Sequence, residues 1–188
     1  LNYELSNSTD AVLKYKATII ENNVIREDNK LKGYLTEDEA FLRRFEKIDV
    51  SEPDQPTTVK ILMGSLPRIE AQTGIKFKYD NYIQNMLLES IVSATSEFKR
   101  IYGLSAMYPD VAFSVLSQAF SLALFENKKE VDVIDVYNAI KTSKRIYPDS
   151  IVKELTNFRE KFQSFCQENN IYLPVVTLDD VQVPEDII

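Results

Sequence analysis

Asp38-Glu-Ala-Phe-Leu-Arg-Arg-Phe45, running on through Glu46-Lys-Ile-Asp-Val50 to Glu52-Pro53, is the stretch around which the remainder of the chain is arranged. Phe41 and Phe45 stand four residues apart and share one apolar face of a helix. Arg43 and Arg44 then point elsewhere, side by side, as two permanent cations. Taken alone, the pair is the solvated edge of a short amphipathic helix, since charge runs usually face water. Thr36 with Glu39 fits a capping box that opens this helix. Lys47-Ile-Asp-Val50 has the alternation of a short strand leading into Glu52-Pro53.

The totals bound what surrounds this stretch. A chain of 188 residues with 44% hydrophobic content suits one or two domains with a packed core. Only 4 Gly and 7 Pro favour helices over a turn-rich β fold. Lys and Arg number 22 against 29 Asp and Glu, and the net charge of -7 opposes a general attraction to nucleic acid or an anionic membrane. There is no His and a single cysteine, Cys166. A Ser-His-Asp triad, a Cys-His dyad and the usual zinc sites are thereby excluded from this chain. One thiol makes no internal disulfide, in keeping with a reducing, cytoplasmic setting, and Cys166 reads as a helix-packing residue. No apolar run has the length of a membrane span, and Leu1-Asn-Tyr-Glu lacks signal-peptide character. The expectation is a soluble, mainly α, acidic protein.

Before the arginine stretch, residues 1–33 read differently. Leu13, Tyr15, Ala17 and Ile19 alternate with Lys14, Lys16 and Thr18, and Glu21-Asn-Asn23 is a turn before Val24-Ile25. This is the pattern of a strand or hairpin, and it carries no chemistry. After the stretch, helices follow one another. One starts near Asp54-Gln-Pro56 with Val59, Leu62, Met63, Leu66 and Ile69 as its stripe, and Gly74 closes it. Pro67 inside it predicts a kink or a break. Asp80 caps a second helix carrying Ile83, Met86, Leu87, Ile91 and Ala94. A shorter one is expected from Ser96 to Tyr102. Pro109 and Asp110 open a helix with Ala112, Val115, Leu116, Ala119, Leu122 and Ala123. Val131 suits a brief extended contact before Asp132 and Asp135, which cap the next helix. Pro148 starts a last long helix, with a seam of Ile151, Leu155, Phe158, Phe162 and Phe165. The tail 171–188 is expected to be extended or loosely docked.

In this order, residues from about Tyr34 to about Phe162 resemble the Clp-type AAA+ ATPases, at the end of their first nucleotide-binding domain and the helical lid that follows. Asp38-Glu-Ala-Phe-Leu-Arg-Arg-Phe-Glu-Lys-Ile is similar to the family segment that ends in a double arginine. Val50-Ser-Glu-Pro53 is similar to the strand and Glu-Pro after it, and Thr58-Val-Lys-Ile-Leu-Met-Gly64 to the first lid helix. Tyr108-Pro-Asp-Val-Ala112 stands where the family has Leu-Pro-Asp-Lys-Ala. Glu130-Val-Asp-Val-Ile-Asp-Val136 is similar to the stretch leading toward a second ATPase ring. The resemblance divides the chain into 1–33 of unknown role, 34–53 as the end of the ATPase core, 54–170 as lid and linker helices, and the tail 171–188.

What the resemblance implies is a mainly α, lid-like helical bundle within a protein-unfolding or disaggregating machine. Like subunits would form a ring, hexameric in the parent protein, acting on unfolded or aggregated clients, with a protease as a further partner. Arg43 and Arg44 would reach a neighbour's nucleotide as catalytic arginine fingers, because the phosphoryl transition state spreads charge that a planar guanidinium fork matches. Ile61, Leu62 and Pro109 would lie against the adenine, with Asp110 nearby. ATP and Mg2+ are the cofactors implied for the complete parent.

The chain also departs from the family pattern. Val111 replaces the usual Lys, Pro67 has no counterpart, and the region between Ser93 and Met107 is longer. No G-x-x-x-x-G-K-[ST] phosphate loop occurs in these residues, nor an apolar strand ending in paired acids. This chain alone is therefore expected neither to bind ATP tightly nor to hydrolyse it. Two readings follow: a fragment of a Clp-like ATPase, or a non-enzymatic helical interaction module derived from such a lid. A nucleic-acid-binding domain is disfavoured by charge and by the lack of a basic-aromatic face.

Overall fold

The computed structural model describes residues 51–101 and 107–181. The strand or hairpin expected in 1–33, the helix with Arg43 and Arg44, and the tail beyond Val181 lie outside the described residues. Within them the architecture is a bundle of six helices with one two-stranded parallel sheet, as the helical composition predicts.

Helix α1 spans Gln55–Thr73. The Asp54 carboxylate accepts from the Thr57 N–H at 2.8 Å, satisfying one of the donors that a helix start leaves open. Gly74 adopts φ 72° and ends the helix, its N–H donating to the Glu70 carbonyl, a left-handed geometry that costs glycine little. Of the kink or break expected at Pro67, the break is not there. The helix continues to Thr73, and Pro67 stands on the exposed side, where the bond toward the Met63 carbonyl is forfeited and the ring crowds the preceding turn. Val59, Leu62 and Leu66 hold the opposite face in the core.

Strand β1, Lys76–Phe77, pairs in parallel with β2, Glu130–Val131, in the register Lys76 to Glu130 and Phe77 to Val131. Val131 is thus the brief extended contact that its sequence suggests; its partner strand was not foreseen. Helix α2 spans Asn81–Ala94 with Asp80 as its cap, and buries Leu87, Leu88, Ile91 and Val92. Of the short helix expected over Ser96–Tyr102, the described residues instead form a single turn over 95–99, followed by Arg100 in an antiparallel bridge with Ile146; Tyr102 lies outside the described residues.

Helix α3 spans Asp110–Phe125 and buries Val111, Ala112, Val115, Leu116, Ala119, Phe120 and Ala123. Helix α4, Val133–Lys141, begins in a capping box between Asp132 and Asp135. The last long helix is two: α5, Pro148–Lys161, and α6, Gln163–Glu168, hinged at Phe162. The aromatic seam finds its partner inside the chain. Phe158 and Phe162 stack with centroids 4.5 Å apart, and Tyr137 of α4 meets Phe158 edge-on at 5.5 Å. Residues 171–181 lie extended apart from a 3-10 turn over Leu178–Asp180, and bury Leu173, Val176 and Val181. One continuous core joins all these elements.

Candidate functional site

The four expected lid residues fall on two helices that pack against each other, α1 and α3. Ile61 is half-buried, whereas Leu62 is fully buried in the core. Pro109 precedes the first turn of α3 and Asp110 is its first residue, both half-buried. Arg43 and Arg44 lie outside the described residues.

Beside these positions sits a charged cluster that sequence reasoning missed. The Arg100 guanidinium meets both carboxylate oxygens of Glu52, Nη1 to Oε1 at 2.6 Å and Nη2 to Oε2 at 3.0 Å. Oε1 also accepts the Tyr108 backbone N–H at 2.7 Å. The guanidinium lies over the Tyr108 ring, 5.1 Å from its centroid, adding a cation–π contact. The Tyr108 hydroxyl donates to the Val92 carbonyl of α2, and the Tyr108–Pro109 peptide is cis. One carboxylate therefore fastens the entry to α1, the turn after α2 and the residue before Pro109-Asp110.

Local structure explains why Arg100 points inward. After the turn over 95–99, its backbone bridges Ile146, and the flanking Ile101 N–H donates to the Arg145 carbonyl at 2.8 Å. Arg100 is left only 5% exposed; a cation so placed needs a paired, fully hydrogen-bonded anion. At Glu52, burial works to raise the carboxyl pKa, but the Arg100 hydrogen bonds, the Tyr108 N–H and the Arg100 charge outweigh it and hold it below its ordinary 4.5. Burial pushes the Tyr108 hydroxyl up to about 12, against the opposing pull of a hydrogen bond with Thr95 and the Arg100 charge. Tyr108 is thus a neutral donor at any physiological pH.

Two further ion-pair clusters are architectural. Lys128 Nζ bridges Asp132 at 2.7 Å and the buried Asp135 at 2.6 Å, joining the α3–β2 connection to the start of α4. Lys99 pairs with the buried Glu154 at 2.7 Å, and Ser93 donates to the same carboxylate at 3.1 Å, tying α2 to α5. Among the described residues no group of His, Cys, Asp and Glu is arranged to hold a metal ion, and no helix is long and apolar enough to cross a membrane. An open groove of about 390 Å³ lies along α5, α6 and the tail, lined by Arg159, Gln163, Cys166 and Tyr172 among others. It shares no residue with the Glu52 cluster or with Ile61, Leu62, Pro109 and Asp110.

No family profile matches the chain. It is 29% identical over 110 residues to the chaperone protein ClpB of Staphylococcus epidermidis, covering 57% of this chain and 12% of that protein. The ClpB of Staphylococcus aureus matches with the same identity and coverage. A ClpA homolog protein of Fuscovulum blasticum is 27% identical over 129 residues, covering 66% of this chain and 15% of its own length. The chain thus spans only a small part of the curated relatives it matches. These similarities support a relationship to the Clp-type chaperones.

Proposed function

We propose that this chain is the lid-bearing part of a Clp-like AAA+ ATPase that couples ATP hydrolysis to protein unfolding or remodelling in a ring of like subunits. The observation that carries the proposal is the similarity to proteins named ClpB and ClpA over 110 to 129 residues, taken with the motif order from Arg43-Arg44 to Val136. On this reading the helical bundle is the lid, and Ile61, Pro109 and Asp110 border the nucleotide, with the buried Leu62 supporting Ile61 from within. Arg43 and Arg44 act in trans on a neighbour's ATP. The ATP and its Mg2+ are held by parts of the parent protein outside these residues, and the working location is the cytoplasm, where unfolded clients and an associated protease would be met.

The alternative, a non-enzymatic scaffold, is motivated by the missing phosphate loop and by the aromatic seam of Phe158, Phe162 and Phe165, which would seek a partner surface. Phe158 and Phe162 are instead buried against Tyr137, so that surface is already taken up, and the ATPase reading stands first. The deciding experiment is steady-state ATP hydrolysis by the full-length protein. Arg43→Ala with Arg44→Ala lowers turnover by about 10³–10⁵-fold, the usual worth of an arginine finger, and leaves ATP affinity nearly unchanged. Hydrolysis equal to that of the unaltered protein removes the finger assignment.

A further inference from the structure

We propose that Glu52 and Arg100 form a positioning clamp for nucleotide binding, setting the Pro109-Asp110 step against the start of α1. The inference rests on the lid reading above and gives Glu52 and Arg100 a role that the reading does not assign. Three observations carry it. The pair is bidentate and its Arg is 5% exposed. The same carboxylate takes the N–H of Tyr108, the residue next to Pro109. Glu52 lies directly before Pro53 and the cap of α1, the helix that carries Ile61.

An ion pair with its cation buried and its anion half-buried is a poor device for stability alone. Its charges regain little beyond what desolvation costs them, and apolar residues of similar volume often serve as well or better. What the pair supplies is direction. A carboxylate facing a planar guanidinium admits one relative orientation, which flexible apolar contacts do not enforce. With Oε1 shared between Arg100 and Tyr108, a shift of the chain before Pro109 must break a charge-assisted bond. The two lid segments are thereby held as one piece, so that a ligand touching both meets a preformed edge.

The test separates orientation from stability. In the full-length protein, the double substitution Glu52→Leu with Arg100→Met removes both charges and keeps apolar volume, and its thermal unfolding midpoint falls only modestly, through the loss of the acceptor for the Tyr108 N–H. The KM for ATP is expected to rise about 10-fold, equivalent to roughly 1.4 kcal/mol of binding free energy, with a much smaller change in kcat. Glu52→Gln serves as a second variant: it keeps an acceptor for the Tyr108 N–H, and its KM falls between the two. Folded variants that keep the unaltered KM and kcat overturn the clamp while leaving the ATPase reading in place. No hydrolysis by the unaltered full-length protein overturns that reading, and the clamp with it.

Discussion

The Tyr137 hydroxyl on α4 donates to the Pro174 carbonyl of the tail at 2.6 Å. Tyr137 is itself fully buried, so one side chain packs the aromatic core with its ring and anchors the chain's return with its oxygen. Arg159 adds a second tie, donating from Nε to the Leu173 carbonyl at 3.1 Å. Tyr137→Phe keeps the ring and strands the carbonyl, and should cost about 1 kcal/mol in urea unfolding, the net worth of one hydrogen bond. Proteolysis near the exposed Tyr172 should quicken in the same variant.

Part of the acid sensitivity should trace to Glu52, beside Asp54, Asp132 and Asp180, whose carboxyls are also held low. The folded pKa of Glu52 is held below the ordinary 4.5, so its contribution is complete above that value and is lost as pH falls through the lower folded one. Thermal midpoints measured from pH 6 to pH 3 should fall more steeply for the unaltered chain than for Glu52→Gln. Parallel curves would show that the Arg100 pairing adds nothing to the acid transition.

At the alkaline end Tyr108 acts in the opposite sense. Its hydroxyl is pushed up to about 12, so the fold favours the neutral phenol and loses stability as pH rises above the ordinary value of 10. Tyr108→Phe should flatten the decline in midpoint between pH 10 and 12. Burial also raises the Tyr79 and Tyr137 hydroxyls, so absorbance titration should show a late-ionising group of tyrosines from which Tyr108→Phe removes one member.

Pro67→Ala should stabilise the chain. The proline is exposed within an unbroken α1, and alanine restores the missing donor and relieves ring crowding. Up to about 3 kcal/mol is at stake, the interior cost of proline relative to alanine, and chemical denaturation measures it. A loss of stability would mean that the helix bends at Pro67 in a way the packing requires.

Cys166 should resist modification. It is 8% exposed, and burial pushes its thiol pKa up, which lowers the thiolate fraction that alkylating reagents need. Labelling at pH 7 should be slow until denaturant is added, when it becomes rapid.

Much of the bundle was legible because its helix starts are written in local chemistry. Asp54, Asp80 and the Asp132–Asp135 pair each cap the helix that their spacing announced. The misses share a physical cause. Nothing local to Ser96–Tyr102 opposes a helix; it is diverted because Arg100 is drawn to Glu52 and its backbone to Ile146. Lys76–Phe77 is too short for a two-residue period to register, and its pairing with Glu130–Val131 exists only in three dimensions. The split at Phe162 is likewise invisible to periodicity, since the seam passes through it unbroken. In the candidate site Pro109 and Asp110 were expected from their motif, which announced the helix start that they form. Glu52 was noticed only as part of a Glu-Pro step, and Arg100 carried no signal, being one cation among many in an acidic chain.

The parallel ladder also orders events in time. A ribosome releases residues from the N-terminal end at about 5–20 per second. Phe77 therefore emerges seconds before Val131, its partner in the sheet, and Arg100 waits in the same way for Ile146. Helices α1 and α2 can form early and close against each other, but the apolar surface they turn toward the later helices stays open to water until those emerge. The nascent bundle is thus an exposed client before it is a folded part, and its most vulnerable moment lies between the emergence of α2 and that of α4.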